Sequence, residues 1–119
     1  MITFILLCLF NKIFLNVAAP QIIIPYYSYL TPDSPALENI MMAARSLSLS
    51  VIVKPDNIYN PDGNWTASIA ALQGAGINVL GYITFLYGAR PLEEVIADID
   101  AYDKWPKDSR FNYLCLIND

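Results

Sequence analysis

A chain of 119 residues, 55% apolar and only 15% charged, has room for one globular domain and is richer in apolar residues than such domains usually are. With 11 acidic against 7 basic residues and no basic cluster, nucleic acid is a poor partner and none is expected. The absence of histidine rules out His-based triads and the commonest metal sites, and two cysteines, Cys8 and Cys115, make neither a disulfide framework nor a thiolate zinc site.

The first segment, "MITFILLCLFNKIFLNVAAP", carries an apolar stretch from Ile2 to Phe10, a polar interruption at Asn11–Lys12 and small residues at Ala18–Ala19. It reads best as a secretory signal peptide, residues 1–19, although no basic residue precedes the apolar run. A membrane-spanning helix would need about twice that apolar length. The mature region, residues 20–119, then keeps 11 acidic and 6 basic residues, because Lys12 leaves with the signal. It is expected to be extracellular, with no membrane attachment after cleavage.

From there one unit recurs. Ile22-Ile23-Ile24 is a β-branched run stopped by Pro25. Residues 35–48 predict a helix with a stripe of Leu37, Ile40, Met41, Ala44 and Leu47 at three- and four-residue steps. Val51-Ile52-Val53 is the next run, followed by a long loop, "KPDNIYNPDGN", and a helix from about Trp65 to Ala75. Its stripe is Trp65, Ile69 and Leu72, and Gly76 stands as its C-terminal stop. "Asn64-Trp65-Thr66" fits an N-glycosylation sequon, in keeping with secretion, and reads as readily as a turn leading into a helix cap. Val79–Ile83 is the third strand, Leu92 to about Trp105 the third helix with the stripe Leu92, Val95, Ile99 and Tyr102, and Tyr113–Ile117 the fourth strand. A repeat of about 30 residues is the length of a β/α unit.

Apolar strands alternating with helices predict an α/β fold with a parallel sheet. A doubly wound sheet and half of a (β/α)8 barrel both satisfy this rhythm. In either, ligands bind at the carboxyl ends of the strands. "PYYSYLTP", "KPDNIYNPDGN" and "TFLYGARP" all leave strands there, gathering Tyr26, Tyr27, Tyr29, Asn57, Tyr59, Asn60, Tyr82, Thr84, Tyr87 and Arg90 on one rim. Aromatic faces with hydroxyl, amide and guanidinium donors suit a carbohydrate cleft, since sugars offer an apolar C–H face and many hydroxyls. "GAGINV" precedes a strand instead of opening a helix, the wrong context for a dinucleotide site. No cofactor or metal is called for, and the sequence sets no oligomeric state.

Glycosidic hydrolysis usually takes two carboxyl groups facing the scissile bond. Asp56, Asp62 and Asp119 lie where such groups would be needed, Asp62 doubling as a turn residue beside Gly63. Glu93, Glu94 and Asp98 fall in the first turns of a helix, where acids complement the dipole and face water.

Three stretches carry a family resemblance: "IIIPYYSY", "AGINVLGYITFLYGARP" and "VIADIDAYDKW". Over roughly residues 20–106 the chain resembles spherulin 4-like proteins, the spherulation-specific family 4. The resemblance implies a secreted (β/α)8 barrel of the TIM type, of which about four units are present here. It also implies a relation to glycoside hydrolases that cleave galactosaminogalactan, a polysaccharide containing N-acetylgalactosamine. In that family a fourth strand reading "GIFFDE" supplies the acid pair; here the strand reads "LCLIND", with Asn118 at the Asp position and Asp119 at the Glu position. The second-strand loop departs as well, since the family's Asn-Pro start is Lys54-Pro55. The expectation is the N-terminal half of such a barrel, with Tyr26, Tyr82, Thr84, Tyr87 and Arg90 lining a polysaccharide cleft and no hydrolysis by this chain. A non-catalytic carbohydrate-binding or cell-wall-associated protein, and an unrelated doubly wound binding module, are the other readings.

Overall fold

The computed structural model describes residues 21–118, so the signal-peptide reading and Asp119 lie outside the described residues. Strand β1, Gln21–Tyr26, is followed by helix α1, Pro35–Ala43; β2, Ser48–Val53, by α2, Gly63–Gly74; β3, Asn78–Thr84, by α3, Leu92–Asp103; and β4, Tyr113–Ile117, comes last. All pairings are parallel and the strand order is β1-β2-β3-β4. A doubly wound sheet reverses its order at a switch point. No such reversal occurs among the described strands.

Side chains alternate across the sheet, so its register sorts them into two layers. Val51 pairs with Val79, and Val53 with Gly81, which in turn pairs with Leu114. This row faces the helices, and Leu37, Ile40, Trp65, Ile69, Leu72, Val95, Tyr102 and Trp105 join it in one buried core. The opposite row carries Ile52, Leu80, Tyr82, Cys115 and Ile117 as a second cluster whose members, among the described residues, come only from strands. Three helices on one face follow from crossovers of one hand between neighbouring strands. Among the described residues no helix is long and apolar enough to cross a membrane.

Several sequence expectations are corrected. Pro25 does not stop β1, which runs on to Tyr26. β1 lies at the edge of the described sheet, where a missing N–H breaks no ladder bond. Helix α1 ends at Ala43 rather than at residue 48, and Leu47 is exposed. "SLSVIV" alternates with period two and pairs with β1 from Ser48 onward, so strand register overrides helical spacing there. In α3 the stripe is turned: Val95, Asp98, Ala101 and Tyr102 face inward while Leu92 and Ile99 are exposed.

Helix α2 forms as read. Trp65, Ile69 and Leu72 are buried, and Gly76 closes the helix at φ +80° with Ile77 N–H donating to the Leu72 carbonyl at 3.1 Å. Asp62 caps its start, accepting from the Trp65 N–H at 2.9 Å and from the Tyr29 hydroxyl at 2.8 Å. These two bonds hold the Asp62 carboxyl below its usual value near 3.8. A carboxyl depressed in the folded state stabilises above its unfolded value and ceases to do so as pH falls through the folded one. Asp62→Ala is therefore expected to lower the thermal midpoint at neutral pH. The gap between the two proteins should close below pH 4 or so, in thermal scans followed by circular dichroism.

Candidate functional site

Beyond the ends of β2 and β3 lies a cavity of about 270 Å³ whose walls include Lys54, Asp56, Asn57, Tyr59, Tyr82, Thr84, Arg90 and Asp98. Three elements build it. The loop after β2 opens with Lys54-Pro55 and turns at Asn57, whose Oδ1 accepts from the N–H groups of Tyr59 and Asn60, each at 3.1 Å. Strand β3 contributes Tyr82 and Thr84 from its non-helical face. Arg90 arrives after a turn at Leu86, Tyr87 and Gly88, all at positive φ. Helix α3 supplies the support.

That support has a simple spacing. Asp98, Tyr102 and Trp105 sit four and three residues apart, on one side of α3 and its extension. Trp105 donates its indole N–H to the Ile58 carbonyl at 2.8 Å and pins the β2 loop. Tyr102 donates its hydroxyl to the Tyr82 carbonyl at 2.8 Å, next to Gly81. Burial, and then the charge of Asp98, push the Tyr102 phenol far above its ordinary value, so it remains a donor at any physiological pH. Asp98 uses both oxygens: Oδ2 lies 2.7 Å from Arg90 Nη1 and Oδ1 accepts from the Tyr59 hydroxyl at 2.5 Å. Two loops are thereby tied to one carboxylate. The hydrogen bond to that carboxylate raises the Tyr59 hydroxyl above its usual value, and the same partner raises Arg90 further.

Arg90 also donates Nη1 to the Thr84 carbonyl at 2.9 Å and reaches Glu94 Oε2 at 3.4 Å. Its first role is thus to lock the β3 exit onto α3. Lys54 places its ammonium 4.6 Å from the centroid of the Tyr82 ring, and Tyr27 meets that ring edge-on at 5.4 Å. The result is an aromatic floor, hydroxyls and amides on the walls and charges at fixed points. Among the described residues no three His, Cys, Asp or Glu side chains converge as a metal-holding group. A larger cavity of about 650 Å³ runs along the flank of α1 from Pro32 to Arg45, away from these side chains.

Of the residues read from the sequence, Asn57, Tyr59, Tyr82, Thr84 and Arg90 of the rim, with the carboxyl candidate Asp56, come together in the cavity. Tyr26 pairs with Val53 and packs against the helix-side core instead. Tyr87 stands 74% exposed on the left-handed turn, outside that cavity. Asn64 is exposed in the first turn of α2 and donates its side-chain amide to the Tyr29 hydroxyl at 2.9 Å, beside the Asp62 cap. Asp56 accepts from the Trp65 indole at 3.1 Å. Asn118 follows β4 with its Oδ1 buried and without a hydrogen bond among the described residues. Sequence reasoning also misplaced Asp98, assigned there to solvent but buried on the cavity wall. Its signal lay in the 98, 102, 105 spacing, which puts it on the side of Tyr102 and Trp105.

The fold and cavity define a parallel β/α protein with a polar, aromatic cavity at the carboxyl ends of its strands. The family model for spherulation-specific family 4 matches residues 21–114, and the chain belongs to that family. It is 31% identical over 91 residues to Spherulin-4 of Physarum polycephalum, an alignment covering 72% of this chain and 26% of that protein. The chain thus spans about a quarter of the length of that relative. No solved structure matches it.

Proposed function

We propose that the rim above β2 and β3 binds polysaccharide as part of a secreted, glycoside hydrolase-like protein. In this reading the sheet supplies four of the eight β/α units of a TIM-type barrel. Helices confined to one face and an unreversed strand order support that, because a barrel winds in one direction throughout. The observation that carries the binding reading is the cavity itself, where Tyr59, Tyr82, Thr84 and Asn57 surround a space of about 270 Å³. Such walls suit the mixed apolar and hydroxyl surface of a sugar ring. The family resemblance points to N-acetylgalactosamine-containing polysaccharide of the galactosaminogalactan type as the starting ligand.

Hydrolysis is not proposed for this chain. Asn118 occupies one position of the family's acid pair, and an amide neither donates a proton as an acid nor forms a glycosyl ester. The reading is therefore binding without cleavage, which also describes a non-catalytic carbohydrate-binding or cell-wall-associated protein.

The test is binding of the purified chain to N-acetylgalactosamine oligosaccharides by titration calorimetry, with chromatography of the sugars afterwards. Binding with intact sugars is expected. Tyr59→Ala, an exposed substitution, should weaken binding about tenfold, the order expected for one aromatic contact. Absence of binding to any glycan on a broad array would refute the reading.

A further inference from the structure

We propose that the cavity takes a sugar bearing a carboxylate, with Lys54 as the group that recognises it; this rests on the carbohydrate reading above. The four charged side chains on the cavity wall are not equivalent. Arg90 and Asp98 neutralise one another at 2.7 Å. Asp56 commits Oδ1 to the Trp65 indole. Lys54 makes neither an ion pair nor a hydrogen bond among the described residues, and its ammonium lies over the face of Tyr82.

A ring face attracts an ammonium but accepts none of its three N–H donors in the way an oxygen does. Those donors are left for a ligand, and their position is set by a ring that is itself buried and braced by Tyr27. A sugar hydroxyl would satisfy one of them. A carboxylate satisfies them with opposite charge as well, and charge-assisted hydrogen bonds are roughly twice as strong as neutral ones. Arg90, on the same wall, adds an Nη2 that makes no hydrogen bond among the described residues. Asp56 and the net charge of −4 oppose a densely charged polyanion, so a single acidic residue in the cavity is what the charges accommodate.

The full chain is titrated with short oligomers of galacturonate, glucuronate and mannuronate, and with the methyl ester of each. Esterification removes the charge and leaves the stereochemistry unchanged. At least one acid form is expected to bind tenfold or more tightly than its ester, with the advantage shrinking as salt is added. Lys54→Gln should bring the ratio of acid to ester affinity close to one. Lys54 is exposed, so the variant should fold, as far-UV circular dichroism will show. Equal binding of acid and ester, or an acid preference that survives Lys54→Gln, overturns the carboxylate assignment and leaves carbohydrate binding standing. Binding of none of these oligomers while N-acetylgalactosamine oligosaccharides bind has the same meaning. Failure with every glycan removes both.

Discussion

Gly81→Ala is expected to destabilise the protein by about 1–3 kcal/mol, the range for one carbon added to a packed interior. A Cβ at this position would stand 2.8 Å from Leu114 Cδ2, 2.9 Å from Tyr102 Cε1 and 3.0 Å from Phe111 Cδ2. None of these is an ordinary contact. Tyr102 has little freedom to withdraw, because its hydroxyl is bonded to the Tyr82 carbonyl and its ring packs against Trp105 and Phe111 at 6.0 and 4.8 Å. Moving the ring would sacrifice that bond and disturb Trp105, which holds the β2 loop. Against a total stability of about 5–15 kcal/mol for a small domain, the loss is a large share. Urea unfolding should show a lower midpoint with an unchanged slope, and Gly81→Val a larger drop. A midpoint equal to that of the parent would mean that Tyr102 does not lie on the strand.

Asp98→Ala should be comparably damaging and should also abolish the site. The Arg90 and Asp98 side chains are 16% and 13% exposed, nearer to a buried pair than to a surface one. Removing one member of a buried pair leaves its partner without a counter-charge; with partial solvent access, about 2–4 kcal/mol is expected. Exposed pairs contribute less than about 1 kcal/mol, so the measured value discriminates between the two situations. A second readout separates the network from general instability. Without the Asp98 carboxylate the Tyr59 hydroxyl loses the bond that raises it, and should ionise nearer its ordinary value in a spectrophotometric titration. Arg90→Met with Asp98→Leu should recover part of the stability without restoring glycan binding. An unchanged Tyr59 titration in Asp98→Ala would show that the loops are not coupled through this carboxylate.

The layered α/β order was legible because each element announces itself locally. β-branched runs, three- to four-residue stripes and Gly76 at a helix end carry their meaning within a dozen residues. The rim was legible too, since loops leaving parallel strands share one end of the sheet, and Tyr82, Thr84 and Arg90 meet there. The errors fall where two signals competed. "LSLSVIV" satisfies a helical stripe and a strand alternation at once, and pairing with β1 decides for the strand. Asp98 satisfies the rule for acids near a helix start, yet Arg90, eight residues earlier, draws it inward. Tyr26 belongs to the same tyrosine-rich stretch as Tyr27, but strand alternation sends the two to opposite faces.

The sequence by itself determined the β/α rhythm and the collection of aromatic and polar residues at one end, because periodicity and composition are local properties. The tertiary structure decided which of those residues face a common space. That choice depends on strand register, on the rotation of α3 about its axis and on a carboxylate shared by two loops, and each of these is set by partners distant in the chain.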